Sequence, residues 1–129
     1  MNIVIDTNVL LSALLTLDGK AHTILDKLLN GHFVFLYNDI ILQEYKDVLS
    51  RKRFNLNKKD ISSIVSFIRL KGINVFKYTK STIKFIDESD RIFYDIAMSM
   101  DSMLITGNLK HFPKHKHIVT IEKFCKRFC

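Results

Sequence analysis

Acidic residues stand at three places in this chain where they border apolar segments. Asp6 follows the branched run Ile3–Ile5, Glu44 lies within the segment NDIILQEYKDVLSRKRF, and Asp90 follows two further acids, Asp87 and Glu88. Carboxylates that are brought close together raise each other's pKa and resist joint ionisation. A divalent cation removes that conflict, because Mg²⁺ or Mn²⁺ binds one or two carboxylates together with waters and substrate phosphates.

Such a site has an evident chemistry. The metal lowers the pKa of a bound water and neutralises charge that develops on a phosphodiester during in-line displacement. The chain carries 20 Lys and Arg against 13 Asp and Glu, a formal net charge of +7, which favours a polyanionic partner such as nucleic acid or an anionic membrane surface. The candidate phosphate contacts are Arg51, Lys52, Arg53, Lys110, Lys114 and Lys116. For each of them an ordinary solvated surface charge is the alternative, and for any single lysine that alternative is favoured.

Structural roles compete with the chemical ones at each acid. Asp6 has the right type and position to cap a helix that begins near Asn8, where backbone N–H groups and the helix dipole favour a carboxylate. Glu44 falls at the margin of a helical apolar stripe and suits a solvated flank as well as a cleft. Asp90, or Ser89 before it, is a further candidate helix cap. The chemical interpretation therefore depends on whether the fold brings these residues together.

Apolar periodicity predicts five short strands separated by helices. The predicted strands are Asn2–Ile5, His32–Tyr37, Ile73–Tyr78, Met103–Thr106 and His117–Ile121. The predicted helices are Val9–Leu17, Ala21–Leu29, a segment capped by Asn38 or Asp39 and running to Arg51, Lys58–Leu70, and a segment from Ser89 or Asp90 to about Met100.

Strands that alternate with helices favour a parallel sheet covered on both faces. Functional clefts of such folds lie beyond the carboxyl ends of the strands. Asp6 follows the first strand and Asn108 follows the fourth, so both are expected at the same edge of the sheet. A chain of 129 residues, 47% of them apolar, suffices for one domain, which we expect to span residues 1–129.

The two cysteines, Cys125 and Cys129, are too few for a disulfide framework, which favours a reducing cytoplasmic location. The histidine-containing run His111–His117 invites a zinc site, but the paired Cys-x2-Cys spacing is missing, and a basic surface loop is the simpler interpretation. No window reaches the roughly 18 apolar residues of a membrane span. We therefore expect no membrane association.

Three segments in this order resemble the PIN domain: IVIDTNVLLSALL, ILQEYKDVLSRKRF and DESDRIFYDIAMSMDSMLITGNLKHF. The similarity extends over almost the whole chain and is strongest to the toxin components of toxin–antitoxin pairs related to VapC. The resemblance implies a PIN-like three-layer α/β/α fold with a central, mostly parallel, five-stranded sheet. It also implies cleavage of RNA with Mg²⁺ or Mn²⁺ held by three or four acidic residues.

Residue by residue, the resemblance implies that Asp6, Glu44 and Asp90 are catalytic metal ligands. Asn108 stands at the fourth catalytic position, where the family pattern usually reads Thr-Gly-Asp. Its neutral oxygen binds a hard cation less strongly than a carboxylate does, which argues against a second metal ion. The auxiliary candidates are Asp87, Asp95, Thr7, Asn8 and Thr106.

The leading hypothesis is a metal-dependent endoribonuclease that acts as the toxin of a toxin–antitoxin pair, with a cognate antitoxin protein that occludes the cleft. Proteins of this kind often form homodimers. The alternative is a catalytically weak or inactive PIN-fold module for RNA binding or protein interaction, which Asn108 favours. A phosphoacceptor receiver domain is set aside, because it requires an acidic pair after the first strand and an Asp after the third, where this chain has Thr79 and Lys80.

Overall fold

The computed structural model describes residues 1–129 and contains five strands and six helices. In chain order these are β1 (Asn2–Ile5), α1 (Thr7–Leu15), α2 (Lys20–Leu29), β2 (Val34–Tyr37), α3 (Asp39–Leu49), α4 (Lys58–Lys71), β3 (Ile73–Asn74), α5 (Arg91–Ser99), β4 (Met103–Ile105), β5 (Ile118–Val119) and α6 (Ile121–Phe128). Short 3₁₀ turns form at Lys52–Phe54, Glu88–Asp90 and Leu109–His111.

The five strands form one parallel sheet with the order β3-β2-β1-β4-β5. The predicted α/β fold with a central five-stranded sheet is confirmed, and every strand pair is parallel. β1 is the central strand, and Ile3 lies in register with Phe35 of β2 and Met103 of β4. The strand order reverses around β1, so the carboxyl end of β1 is the position where such sheets open a cleft.

The helices flank the sheet in two packed groups. α2 contacts α1 and α6, whereas α3 contacts α4 and α5, and α5 also packs on β1 and β4. The apolar stripe of each helix explains this packing: α3 buries Ile41, Leu42, Tyr45, Val48 and Leu49. The buried apolar side chains form one continuous cluster of 35 residues, which holds β1 and the start of α1 rigidly. None of the helices has the length and apolar character that a membrane crossing requires.

The third strand is much shorter than its apolar run predicted. β3 ends at Asn74, although the Val75 N–H still donates to the Tyr37 carbonyl at 2.7 Å. β3 is an edge strand with solvent on its outer side, and Ile73, Asn74 and Phe76 are exposed. An apolar run at an edge lacks the second neighbour that would extend its pairing, so residues after Val75 leave the sheet.

Other boundaries move by one or two residues. α1 begins at Thr7 instead of Val9, with Asp6 at the N-cap position but without a side-chain capping hydrogen bond. Asn38 caps α3 by accepting a hydrogen bond from the Ile41 N–H at 3.0 Å. Asp90, one of the two predicted caps, stands at the N-cap of α5, but its carboxylate makes no capping hydrogen bond, and Asp87 caps the preceding 3₁₀ turn.

Candidate functional site

Asp6 lies at the carboxyl end of the central strand and is 4% exposed. Its N–H donates to the Ile105 carbonyl of β4 at 3.0 Å, so pairing with the neighbouring strand fixes its backbone. The Thr106 hydroxyl donates to the Asp6 carboxylate at 2.7 Å and fixes the side chain. Although Asp6 stands at the N-cap of α1, its side chain makes no capping hydrogen bond. The carboxylate is therefore oriented by Thr106, which is the arrangement of a positioned ligand.

Burial raises the pKa of the Asp6 carboxyl above its usual value, and the hydrogen bond from Thr106 opposes this effect only in part. When its imidazole is protonated, His111 also lowers the pKa of Asp6. A buried carboxylate with a raised pKa gains stability from a nearby positive charge. No Lys or Arg forms an ion pair with Asp6, so the protein itself leaves this charge without a permanent cationic partner.

Asp90 supplies a second buried carboxylate. It is 8% exposed and lies where the 3₁₀ turn Glu88–Asp90 meets α5. Burial and the charges of Asp6 and Asp87 raise the pKa of Asp90 to about 6. The effect of the Asp6 charge on Asp90 indicates that the fold brings these two acids near each other, although they are distant in sequence.

Glu44, on α3, lies close enough to Asp6 and Asp87 for their charges to raise its pKa. The residue is partly buried, and burial raises its pKa, with the positive charge of Arg51 opposing the shift and the charges of Asp47, Asp87 and Asp6 adding to it. Its carboxylate makes no side-chain hydrogen bond in the structure. The next residue in α3, Tyr45, is fully buried, and its hydroxyl donates to the Ile5 carbonyl immediately before Asp6. α3 is therefore attached to the strand end that carries Asp6.

The remaining acids of the 87–95 segment have different environments. Asp87 is exposed, and hydrogen bonds from the Ser89 N–H at 3.0 Å and the Ser89 hydroxyl at 2.8 Å lower its pKa. Glu88 pairs with Arg91, which lowers the pKa of Glu88. Asp95 is buried, but its carboxylate accepts a hydrogen bond from the Ser81 N–H at 3.2 Å. Asp87 is thus near the cluster, whereas the contacts of Asp95 are with the loop before the 3₁₀ turn.

Asn108 joins the site through two neighbours. Its N–H donates to the Thr106 hydroxyl at 3.0 Å, and its side-chain amide nitrogen lies 2.9 Å from His111 Nε2. The other ring nitrogen, His111 Nδ1, lies 3.2 Å from the Asp90 carboxylate. With the amide donating to Nε2, the imidazole carries its proton on Nδ1 and donates it to Asp90. The His111 imidazole therefore links Asn108, at the fourth catalytic position, to Asp90.

His111 is the functional residue that sequence reasoning missed. It was assigned to a basic surface loop, yet it is half-buried and links Asp90 to Asn108. The available signal was its spacing, three residues after Asn108, which suits one turn of a short helix. The other histidines of that run, His115 and His117, contact each other's rings, and His117 Nδ1 lies 3.3 Å from the carboxylate of Asp101, which is outside the acidic cluster. Cys125 lies in α6 and Cys129 at its C-cap, and their sulfur atoms contact each other.

Two other candidates flank Asp6. Asn8 is exposed, whereas the Thr7 hydroxyl is buried and has no hydrogen-bond partner. A buried hydroxyl without a partner marks a place where a water or an ion completes the polar contacts.

The candidate phosphate contacts are dispersed. Arg51 is exposed and close enough to Glu44 to lower its pKa, and Lys52 and Arg53 follow it in an exposed 3₁₀ turn. Lys110 lies in the turn that carries His111, and Lys114 is exposed in the following loop. Lys116 is not brought to the cluster: it lines a cleft with Asn2 and Met103, the first residues of β1 and β4, at the opposite edge of the sheet.

No group of three or more His, Cys, Asp or Glu side chains converges closely enough to hold a metal ion. Mg²⁺ needs only one or two carboxylates and keeps several waters. The two buried carboxylates with raised pKa values, Asp6 and Asp90, suit such a hydrated cation, and the unpartnered Thr7 hydroxyl follows Asp6 in the chain.

Comparison with protein families identifies a PIN domain over residues 2–110. Neither the curated proteins nor the solved structures include a match to this chain. PIN domains are generally nucleases and typically use divalent metal ions. The matched segment begins in β1 and ends just beyond Asn108, so it contains Asp6, Glu44 and Asp90. The chain therefore belongs to the PIN domain family.

Proposed function

We propose that this protein is a metal-dependent endoribonuclease that hydrolyses RNA phosphodiesters with a metal-activated water. The observation that supports this most strongly is the pair of buried acids, Asp6 and Asp90: the charge of Asp6 raises the pKa of Asp90, and neither acid has a Lys or Arg partner. An acidic pocket in a protein with a net charge of +7 suits a cation that mediates between the pocket and an anionic substrate.

Asp6, Glu44 and Asp90 would hold Mg²⁺ or Mn²⁺, with Asn108 in support. When bound, the ion supplies a water nucleophile of lowered pKa and neutralises charge that develops on the phosphodiester. Thr106 orients the Asp6 carboxylate, and His111 orients Asp90. Groups that orient metal ligands in this way raise affinity and activity.

The substrate would approach over the outer side of the cluster. Glu44 has no side-chain hydrogen-bond partner and is free to orient a water. Arg51, whose positive charge acts on Glu44, would bind a phosphate of the RNA backbone next to the bond that is cleaved. Lys52, Arg53 and Lys110 would add sequence-independent attraction.

The test is cleavage of structured RNA by the purified protein with Mn²⁺, compared with EDTA and with Asp6→Asn. Asp18→Asn is the matched control, because Asp18 is exposed in the turn between α1 and α2. We expect cleavage by the unmodified protein and by Asp18→Asn, and none in EDTA or by Asp6→Asn. Cleavage that survives both EDTA and Asp6→Asn would show that the metal–carboxylate mechanism is wrong.

We further propose that residues 1–129 act as a single cytoplasmic domain in the role of a toxin of the VapC-related branch. A cognate antitoxin protein would occlude the acidic edge, and the chain would form a homodimer. Induced expression should arrest bacterial growth, and Asp6→Asn should abolish the arrest. A short open reading frame overlapping the gene would support the antitoxin, and unchanged growth would argue for a free-standing nuclease.

One observation favours a second candidate, a PIN-fold module that binds RNA without cleaving it. Asn108 is neutral, and its amide is engaged with His111. Calorimetric titration with Mn²⁺ separates the two candidates. The module predicts no binding at millimolar Mn²⁺, with binding and cleavage appearing only in Asn108→Asp, whereas the nuclease predicts binding by the unmodified chain.

A further inference from the structure

A groove outside the acidic cluster runs between α3 and α4. Its volume is about 420 Å³, and three cationic side chains line it: Lys46 from α3, and Lys58 and Arg69 from α4. The hydroxyls of Ser50, Ser62 and Ser66 lie among them. No Asp or Glu lines the groove. None of the basic residues predicted above as phosphate contacts belongs to it.

The three cations have no partner within the protein. Lys46, Lys58 and Arg69 take part in no salt bridge, and their charged groups donate no hydrogen bond. Like charges that face one groove repel each other unless an anion binds between them. Hydroxyls placed between the cations add hydrogen-bond donors for the same anion. The groove is therefore complementary to a chain of negative charges.

The composition of the groove favours a nucleic-acid backbone over a protein segment. Of the eight lining residues only Ile61 and Val65 are apolar, and none is aromatic. Protein-binding grooves obtain most of their affinity from apolar and aromatic anchors, which this groove lacks. Lys, Arg and Ser are the side chains that contact phosphate oxygens.

The groove also leads to the acidic cluster. Ser50, at the end of α3, lines the groove, and the next residue, Arg51, acts electrostatically on Glu44. Lys58 and Arg69 lie at opposite ends of α4, so the cationic line extends over about three helical turns. A strand that leaves the cluster past Arg51 therefore meets the groove next.

We propose that the α3–α4 groove is a binding site for the phosphate backbone of single-stranded RNA, separate from the site of cleavage. It holds the strand through charge and hydroxyl contacts without reading bases. The choice of RNA rests on the proposed nuclease function, whereas the site itself requires only a polyanionic strand.

Binding is measured separately from cleavage. A fluorescein-labelled single-stranded RNA is titrated with Asp6→Asn protein in EDTA, and anisotropy is followed over a range of salt concentrations. The test variant adds K46Q, K58Q and R69Q. The matched control instead adds K20Q, K123Q and K126Q, which removes the same charge from a cleft between α2 and α6 that the acid Glu122 also lines. Because five of the six side chains are exposed and Lys46 is only half-buried, circular dichroism should show unchanged folding.

Three phosphate contacts on a single strand contribute about 2 to the slope of log K against log salt, or about 100-fold in affinity at 0.1 M salt. We expect that loss in the groove variant and much less in the control. A second variant, S62E with S66E, should weaken binding by introducing negative charge into the groove. Equal RNA affinities and salt slopes in the groove and control variants would overturn the proposal. That result would also be the one expected if the groove binds an acidic protein instead of RNA.

Cleavage assays with Mn²⁺ distinguish this proposal from the nuclease hypothesis. If the unmodified protein cleaves no RNA but the groove variant loses RNA binding, the groove is supported and the nuclease hypothesis fails. If the protein cleaves RNA and the groove variant binds as tightly as the control, the nuclease stands and the groove proposal fails.

Discussion

The acidic cluster has two halves that differ in how they are held. The inner acids, Asp6 and Asp90, are buried, and each carboxylate contacts a specific partner, Thr106 or His111. The outer acids, Glu44 and Asp87, are partly or fully exposed to water. Burial raises the pKa of both inner acids, whereas hydrogen bonds from Ser89 lower the pKa of Asp87.

This difference indicates a division of tasks. A fixed, buried carboxylate gives a metal ion a defined position, but it costs folding energy when no cation is bound. A hydrated acid costs little and can follow the substrate or orient a water. The inner acids should therefore determine whether a metal binds, and the outer acids should modulate what the bound metal does.

The largest expected effect is on the inner half. Asp6→Asn should reduce RNA cleavage on the order of 10³-fold, because it removes an anionic ligand that supports several kcal/mol of transition-state stabilisation by the metal. Single-turnover cleavage and calorimetric Mn²⁺ binding should both decrease. Unchanged Mn²⁺ affinity would contradict the assignment of Asp6 as a ligand.

His111→Ala should lower Mn²⁺ affinity or cleavage by about 10- to 100-fold, the usual effect of removing a group that orients a metal ligand. His111→Asn is the conservative comparison, because its amide retains polar groups that can reach Asp90. Partial rescue by Asn would support orientation by hydrogen bonding. Equal losses in the two variants, with normal thermal stability, would argue that the imidazole contacts the metal or substrate directly.

The pH dependence of stability separates the acids with raised pKa values, which include the outer Glu44, from Asp87 and Glu88. Asp6, Glu44 and Asp90 have raised pKa values, to about 6 for Asp90, so the folded chain binds their protons more tightly than the unfolded chain. The free energy of unfolding without metal should therefore increase as the pH falls from about 7 toward 4, with Asp90 contributing on the order of 2 kcal/mol.

The lowered pKa values of Asp87 and Glu88 act in the opposite sense, and their contribution is lost only at more acidic pH. Urea unfolding in EDTA at a series of pH values measures the sum. In Asp90→Asn the increase between pH 7 and 4 should be smaller. A free energy of unfolding that decreases steadily from pH 7 downward would show that burial of the inner acids is not the dominant effect.

The smallest effect is expected at the outer position Asp87. Asp87→Asn should change cleavage less than about threefold and stability by less than about 1 kcal/mol, because an Asn side chain can still accept the cap hydrogen bond from Ser89. Parallel cleavage and urea-unfolding measurements on Asp87→Asn and Asp90→Asn test the comparison directly. Equal losses of cleavage in the two variants would remove the distinction between inner and outer acids.

Much of the fold was predictable from sequence because its signals are local. The apolar runs located all five strands, and the residue type at Asn38 marked the start of α3, whereas α1 begins two residues before its predicted start. The positions of Asp6 and Asn108 at strand ends also predicted a common edge, since parallel strands end together. The length of β3 was not predictable, because an edge strand stops pairing where its single neighbour ends.

The parts that sequence reasoning missed depend on tertiary contacts. His111 meets Asp90 only because the turn after β4 folds back toward the start of α5, and a loop histidine carries no periodic signal. Asp95 resembles the other acids in sequence, yet the fold directs it to Ser81. Lys116 lies near Lys110 in sequence, but the return of the chain toward β5 carries it to the far edge of the sheet.

Tyr45 shows how the core could determine which ion suits the edge. Its hydroxyl joins α3 to the Ile5 carbonyl at a fully buried point. Asp6 directly follows Ile5, and Glu44 directly precedes Tyr45, so this hydrogen bond links the two elements that carry these acids. Mg²⁺ tolerates little departure from octahedral geometry at 2.0–2.1 Å, whereas larger ions accept looser coordination. The preference among divalent ions would then be a property of this internal tether, and a change at Tyr45 would alter ion selectivity while every acid stayed in the sequence.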